Sequence, residues 1–305
     1  MIAKRLKIGN TIGLISPASP ETPDKIKKSI EFLKSQGFNV KEGNHLYHKW
    51  GYMAGQDKDR AKDFMDMFED TEIDMILCIR GGYGSMRILP FIDYKTIRKN
   101  PKIFVGFSDI TSFLNTIASR CGLITFHGPM GSSNFEDTET LKSFLSTLMN
   151  GYRPYSLVNP SGIKLNRNIS GKAIGRIVGG NLSLIASTLG TPYEVNTKNN
   201  ILFIEDVNEE PYVIDRLLTQ LHLAGKLQEC SGFIIGQFTG CSLPNYEKSL
   251  TLNEVLVDRV LKLNKPTLSN FMSGHDYPKL TLPIGAKAMI DCDKGEISIL
   301  EPVVK

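Results

Sequence analysis

The sequence predicts an α/β protein: an N-terminal domain built on a parallel sheet with helices on both faces, then a smaller C-terminal α/β domain. Two features carry this. Short apolar runs such as Met75–Ile79, Ile103–Val105 and Ile201–Ile204 alternate with stretches whose apolar residues recur at helical spacing. Glycine-bearing turns follow the first two of these runs, as where buried strands hand over to covering helices. At 305 residues, 41% apolar and 22% charged, the chain has the length for one large or two ordinary domains.

The elements follow in order. Thr11–Ser16 reads as a first core strand, with a polar turn, Ser16–Pro20, at its end. Ile26, Ile30, Phe32 and Leu33 mark a helix stopped by Gly37, and Phe38–Val40 a short strand. Residues 57–70 form an amphipathic helix with Ala61, Phe64, Met65 and Phe68 inward; Met75–Ile79 is a strand ending in Arg80-Gly-Gly-Tyr-Gly84, with a helix from about Ser85. Ile103–Val105 is a strand, and Ile110, Phe113, Leu114 and Ile117 mark the helix after it. Leu123–Phe126 leads into another strand end at His127, and a helix over 139–149 closes a first domain, 1–150. Residues 151–170, rich in Pro, Gly and Asn with little periodicity, read as a linker. The second domain, 171–305, opens with Ala173–Val178 and Gly179-Gly-Asn-Leu182, then a helix through Leu189. Next come the strand Ile201–Ile204 with Glu205 and Asp206 at its end, and a helix begun by Pro211 carrying Ile214, Leu217, Leu218 and Leu221. A strand at Phe233–Ile235, a helix over 252–263, a loop containing His275 and two short strands near 288–290 and 296–300 complete the chain.

Several function classes are excluded. A net charge of +4 without interleaved basic and aromatic clusters does not suggest nucleic acid. No apolar run approaches the roughly 18 residues of a membrane span. The N-terminus carries no signal-peptide pattern, so a cytoplasmic location is expected. The five cysteines are scattered, without a C-x-x-C pair, and read as free thiols rather than a disulfide framework or zinc site. His45 and His48, beside the lone Trp50, have the spacing of metal ligands, but no further His or Cys lies nearby. A surface pair is expected and no metal site.

The chemistry gathers at strand ends, where ligands of parallel sheets bind. Gly106-Phe-Ser108-Asp109 spans a strand-to-helix turn, which fits a nucleophile elbow, although Ile110 stands where a second glycine belongs; a serine N-cap fits as well. The Arg80–Gly84 turn lacks the third glycine of a dinucleotide fingerprint and the Lys-Ser/Thr of a P-loop. Its glycines serve either positive φ alone, or a backbone N–H of Gly81 or Gly82 that pairs with that of Asp109 as an oxyanion hole. A serine needs a base. His275 is the best placed by sequence and His127 the reserve, with Glu205 as the acceptor that orients the base.

Arg80-Gly-Gly-Tyr-Gly84, Gly106–Asp109, Gly179-Gly-Asn-Leu182, Ile204-Glu-Asp206 and Gly274-His275 together resemble the LD-carboxypeptidase family of serine peptidases, from about Lys7 to about Asp291. The resemblance implies Ser108 as nucleophile, Glu205 as acid and His275 as base. It also implies oxyanion donors at Asp109 and at Gly81 or Gly82, the triad meeting at the junction of two domains, and usually a homodimer. No metal or organic cofactor is implied. The family has two branches. One removes terminal D-alanine from murein tetrapeptide during peptidoglycan recycling; the other, the microcin C self-immunity peptidases, cleaves peptidyl or aminoacyl nucleotides. Ala54-Gly55, Met86–Pro90, Thr188–Tyr193 and Asp215–Gln220 resemble the murein branch, and Trp50 lies far upstream of where the other branch stacks its nucleobase. The expected partner is therefore a muropeptide. Arg80, Tyr83 and Arg176 are candidates for binding it, since a guanidinium grips a carboxylate with two parallel hydrogen bonds.

Overall fold

A computed structural model describes residues Met1–Lys305 as two compact units. Unit 1 comprises Met1–Arg153, Thr281–Gly285 and Pro302–Lys305; unit 2 comprises Pro154–Leu280 and Ala286–Glu301.

Unit 1 is organised on a six-stranded sheet. Its strands are β1 (Thr11–Ile15), β2 (Asn39–Glu42), β3 (Met75–Cys78), β4 (Ile103–Gly106), β5 (Thr125–His127) and, in chain order, β12 (Leu282–Ile284). The order is β12-β5-β4-β3-β1-β2, all parallel except β12, which runs antiparallel to β5. Every residue of β3, β4 and β5 is buried, which is why β3 and β4 read as unbroken apolar runs. The helices are α1 (Pro23–Ser35), α2 (Asp57–Glu69), α3 (Ser85–Ile88), α4 (Tyr94–Lys99), α5 (Thr111–Cys121) and α6 (Thr138–Asn150). Pro23 starts α1 and Asp24 meets its positive end. The Asp137 carboxylate accepts from the N–H of Thr140 to cap α6. α2 and α5 share one core: Phe64 stacks on Phe113 at 4.6 Å between ring centroids and packs against Phe104 of β4 at 5.3 Å. On α2 it is Met67, not Met65, that is fully buried.

Unit 2 holds a mixed eight-stranded sheet, ordered β6-β14-β13-β8-β9-β10-β11-β7. Its strands are β6 (Tyr155–Leu157), β7 (Asn166–Ile169), β8 (Lys172–Asn181), β9 (Ile201–Val207), β10 (Gly232–Thr239), β11 (Thr267–Ser269), β13 (Lys287–Asp291) and β14 (Glu296–Ile299). β8 to β11 are parallel; the others pair antiparallel. Its helices are α7 (Leu182–Ser187), α8 (Pro211–Leu223), α9 (Lys226–Glu229) and α10 (Leu252–Arg259). Leu182, Ile185, Ile214, Leu218, Leu221 and Val255 close over Leu202, Ile204, Phe233 and Ile235.

Two expectations of organisation are corrected. The stretch 151–170 is no linker: β6 and β7 lie within it, as the two edges of the second sheet. Edge strands need only one partner and little apolar surface, so their sequences look like loop. Nor is 171–305 continuous, because 281–285 and 302–305 belong to unit 1. The helix from Ser85 is also a single turn, followed by a 3-10 turn at Leu89–Phe91.

Candidate active site

In unit 1 the chain leaves β4 through an extended Phe107 and enters a 3-10 turn at Ser108–Ile110 before α5 begins. Ser108 has φ +61°, a left-handed conformation that costs a non-glycine residue energy and persists only where its surroundings enforce it. What enforces it is packing at both ends. A Cβ on Gly106 would sit 2.6 Å from Ile110 Cγ2, so the elbow closes only over a glycine, and the Ile110 that departs from the usual motif fills the space. Asp109 is buried; its Oδ2 accepts from the N–H of Ser85 at 2.8 Å, and Ser85 Oγ donates back to the Asp109 carbonyl at 2.5 Å. Burial pushes the Asp109 carboxyl above the usual range, with the Ser85 hydrogen bonds opposing.

These bonds tie the elbow to the Arg80–Gly84 turn. A Cβ on Gly81 would lie 2.9 Å from Ser108 Cβ, 3.2 Å from its Oγ and 3.3 Å from the Asp109 nitrogen. The missing side chain thus leaves a gap beside both the hydroxyl and a backbone donor. Gly82 has φ +110° and packs on Ser19. The N–H of Ser19 donates to the Gly81 carbonyl at 3.2 Å, and its Oγ accepts from the N–H of Tyr83 at 3.1 Å. Arg60, fully buried on α2, donates to the carbonyls of Pro17 and Gly84 at 2.5 and 2.8 Å and pairs with Asp57. Sequence reasoning missed Ser19 and Arg60; the polar turn after β1 was the only signal for the first, and an arginine on an apolar helix face for the second.

In unit 2, alternation along β9 sorts two neighbouring carboxylates. Leu202, Ile204 and Asp206 share one face, where Asp206 accepts from the Asn181 amide at 2.9 Å and from Ser183 N–H and Oγ at 2.9 and 2.8 Å. Burial pushes the Asp206 carboxyl up. Phe203 and Glu205 share the opposite face. Glu205 is fully buried, and its Oε2 lies 2.7 Å from His275 Nδ1. A carboxylate only accepts, so Nδ1 carries the proton and Nε2 keeps the lone pair. The His275 side chain is 15% exposed.

The loop that carries His275 is held closely. Gly274 has φ +150° and packs on Gln237, whose backbone N–H donates to the Ser273 carbonyl and whose Oε1 accepts from the N–H of Asp276. Lys279 is buried, donates through Nζ to the Gly274 carbonyl, and lies 5.2 Å from the Tyr277 ring centroid. Desolvation pulls the Lys279 ammonium down to about 8.

The remaining candidates divide. Arg80 reaches only the Pro20 carbonyl, at 3.4 Å, and Tyr83 is half exposed, edge-on to Tyr52. Arg176 is corrected: it pairs with Glu301 at 3.0 Å, and in β8 it precedes by five residues the Asn181 that registers with Glu205, about 16 Å along a strand. The reserve base His127 is fully buried in β5, beside Phe107.

Residues 12–128 match the LD-carboxypeptidase N-terminal domain and residues 174–290 the LD-carboxypeptidase C-terminal domain. The chain belongs to the LD-carboxypeptidase family. It is therefore grouped with peptidases. It is 43% identical over 290 residues to a probable murein peptide carboxypeptidase of Bacillus subtilis, covering 94% of this chain and 91% of that protein. Among solved structures, MccF in complex with glutamyl sulfamoyl guanosine is similar at TM-score 0.90 and 30% identity, covering 100% of this chain and 99% of the other. The muramoyltetrapeptide carboxypeptidase of Oxalobacter formigenes is similar at TM-score 0.84 and 28% identity, covering 95% and 98%. No helix is long and apolar enough to cross a membrane.

Proposed function

We propose that this protein is a serine LD-carboxypeptidase that releases terminal D-alanine from murein tetrapeptide by cutting the L-to-D peptide bond. Ser108 is its nucleophile, His275 its base, and Glu205 the acid that fixes the base's tautomer. The observation that carries the reading is the Glu205–His275 pair: a buried carboxylate on Nδ1 makes Nε2 the accepting nitrogen for a hydroxyl proton and stabilises the imidazolium formed. A serine held at positive φ beside a glycine gap supports the nucleophile.

Ser108 Oγ attacks the carbonyl carbon as its proton passes to His275 Nε2. The oxyanion is met by the N–H of Asp109 and one from the Gly81–Gly82 turn. Collapse breaks the C–N bond, and His275 returns the proton to the leaving D-alanine amine. Water, deprotonated by His275, then attacks the acyl-enzyme and regenerates Ser108. We assign Arg80 to the substrate's terminal carboxylate, a cytoplasmic location, and a homodimer as the working assembly. The relatives named for murein peptides support the substrate.

A second reading, hydrolysis of aminoacyl nucleotides, has the similarity to MccF in its favour. Against it, the single tryptophan, Trp50, lies in unit 1. The deciding experiment compares turnover of murein tetrapeptide and an aminoacyl sulfamoyl adenylate, with a fluorophosphonate probe of wild type and Ser108→Ala. Tetrapeptide turnover and labelling that vanishes in the variant support the proposal. Labelling that survives in Ser108→Ala ends it, and preference for the nucleotide substrate moves it to the second reading.

A further inference from the structure

The fold brings together a donor set on unit 1 that hydrolysis does not use. His45 and His48 lie in the turn after β2, where the N–H of His48 donates to the His45 carbonyl at 2.9 Å. No other histidine or cysteine joins them, but the first turn of α2 supplies a carboxylate, Asp59. His45 Nε2 is 3.8 Å from Asp59 Oδ1, and His48 Nδ1 is 3.9 Å from Asp59 Oδ2. One donor atom from each of the three residues lies within 4.8 Å of the others.

A fourth residue fixes the first ligand. Asp63, buried on the next turn of α2, accepts from the backbone N–H of His45 at 2.8 Å and contacts its Nδ1 at 2.6 Å. Nδ1 then bears the proton, and the Nε2 lone pair faces Asp59. A carboxylate behind a ligating imidazole is the usual means of setting tautomer and ring angle in metal centres.

We infer that His45 Nε2, His48 Nδ1 and the Asp59 carboxylate form a site for a divalent transition ion of the zinc class, oriented by Asp63. Two imidazoles and a carboxylate suit zinc and its borderline neighbours better than magnesium or calcium, which prefer oxygen. Tetrahedral bonds of about 2.0–2.1 Å put neighbouring ligands roughly 3.4 Å apart. Asp59 needs little movement, and the half-exposed His48 ring is free to supply the rest. Two carboxylates and two neutral imidazoles balance the charge of the ion. Three protein ligands leave one position for water.

The ion would clip the loop between β2 and α2 onto the start of the helix. That loop carries Trp50, under the guanidinium of Arg87, and Tyr52, edge-on to Tyr83 of the glycine turn. The site is thus a fastening beside the catalytic turn, not part of the chemistry.

The test uses tag-free, chelator-stripped full-length protein titrated with Co²⁺, whose visible absorption reports tetrahedral coordination, and with Zn²⁺ in competition. One equivalent is expected to bind, and Zn²⁺ should slow tryptic cleavage at the exposed Lys49. His48→Ala and Asp59→Asn should each weaken binding at least tenfold, and Asp63→Asn by about 10–100-fold. His222→Ala, on α8, should change nothing. His48 is exposed, so its variant folds. Absence of saturable binding below millimolar free Co²⁺, or binding unchanged in His48→Ala, overturns the site.

Discussion

Glu205 Oε2 sits 2.7 Å from His275 Nδ1, although the two residues are 70 positions apart in the chain. The carboxylate is fully buried and the imidazole partly open, the order needed if one group is to hold the other without reacting itself. Glu205→Gln keeps the shape but offers an amide that can donate to Nδ1 and select the wrong tautomer. We expect kcat to fall by about 10⁴-fold, with the far-UV circular dichroism unchanged. A loss below tenfold would remove Glu205 from the proposed triad.

Ser108→Ala should lower kcat by roughly 10⁶-fold if hydroxyl, base and acid act as a unit. The double variant Ser108→Ala/Glu205→Gln should then be scarcely slower than Ser108→Ala. Single-turnover release of D-alanine measures this; multiplicative losses would show independent roles.

Gly81→Ala places a methyl 2.9 Å from Ser108 Cβ and 3.2 Å from its Oγ. Overpacking of this kind costs about 1–3 kcal/mol. Filling the gap beside the Asp109 N–H should cost about 10²–10³-fold in kcat. Urea unfolding alongside steady-state kinetics separates the two effects, and a variant destabilised but fully active would show that the gap is not used.

Arg60→Met leaves the carbonyls of Pro17 and Gly84 and the carboxylate of Asp57 without their shared donor. The expected loss of stability is roughly 3 kcal/mol. Because those carbonyls hold the turns of Ser19 and Gly82, kcat should fall as well. A change under about 0.5 kcal/mol, the usual surface range, would refute the clamp.

Lys279 gives a pH dependence with a defined sign. Burial lowers its folded pKa to about 8 from 10.5, so between these values the unfolded chain binds more protons and stability rises with pH. The penalty is fully present below about pH 8 and gone above about pH 10.5. Wild type should therefore gain on Lys279→Met by up to about 3 kcal/mol between pH 7.5 and 10.5, read from urea midpoints. A gap that is flat or narrows in the other direction would contradict the buried ammonium.

How much of this was legible depends on whether the signal was local. Ser108 announced itself because an apolar run gave way to helical spacing across one glycine turn. The Glu205–His275 contact has no such signature: only the order of several motifs pointed to it, since no periodicity links a strand residue to a loop 70 positions later. β6 and β7 looked like a linker because edge strands with mostly exposed side chains carry no apolar alternation. Arg176 misled because a guanidinium's identity says nothing about which end of a strand it occupies. His45 and His48 were dismissed for lack of a third histidine or cysteine; the carboxylates that meet them lie one loop away, on a helix whose acidic face looked merely solvated.

The first sheet is finished by residues distant in sequence: β12 covers the edge of β5, and the N–H of Lys305 donates to the Ala3 carbonyl. A ribosome that has made the chain only as far as Arg153 holds a parallel sheet with one flank open to chance pairing. Unit 1 cannot close until Thr281–Gly285 and Pro302–Lys305 have been made, so nascent chains paused between Arg153 and Thr281 are where this protein is exposed to aggregation.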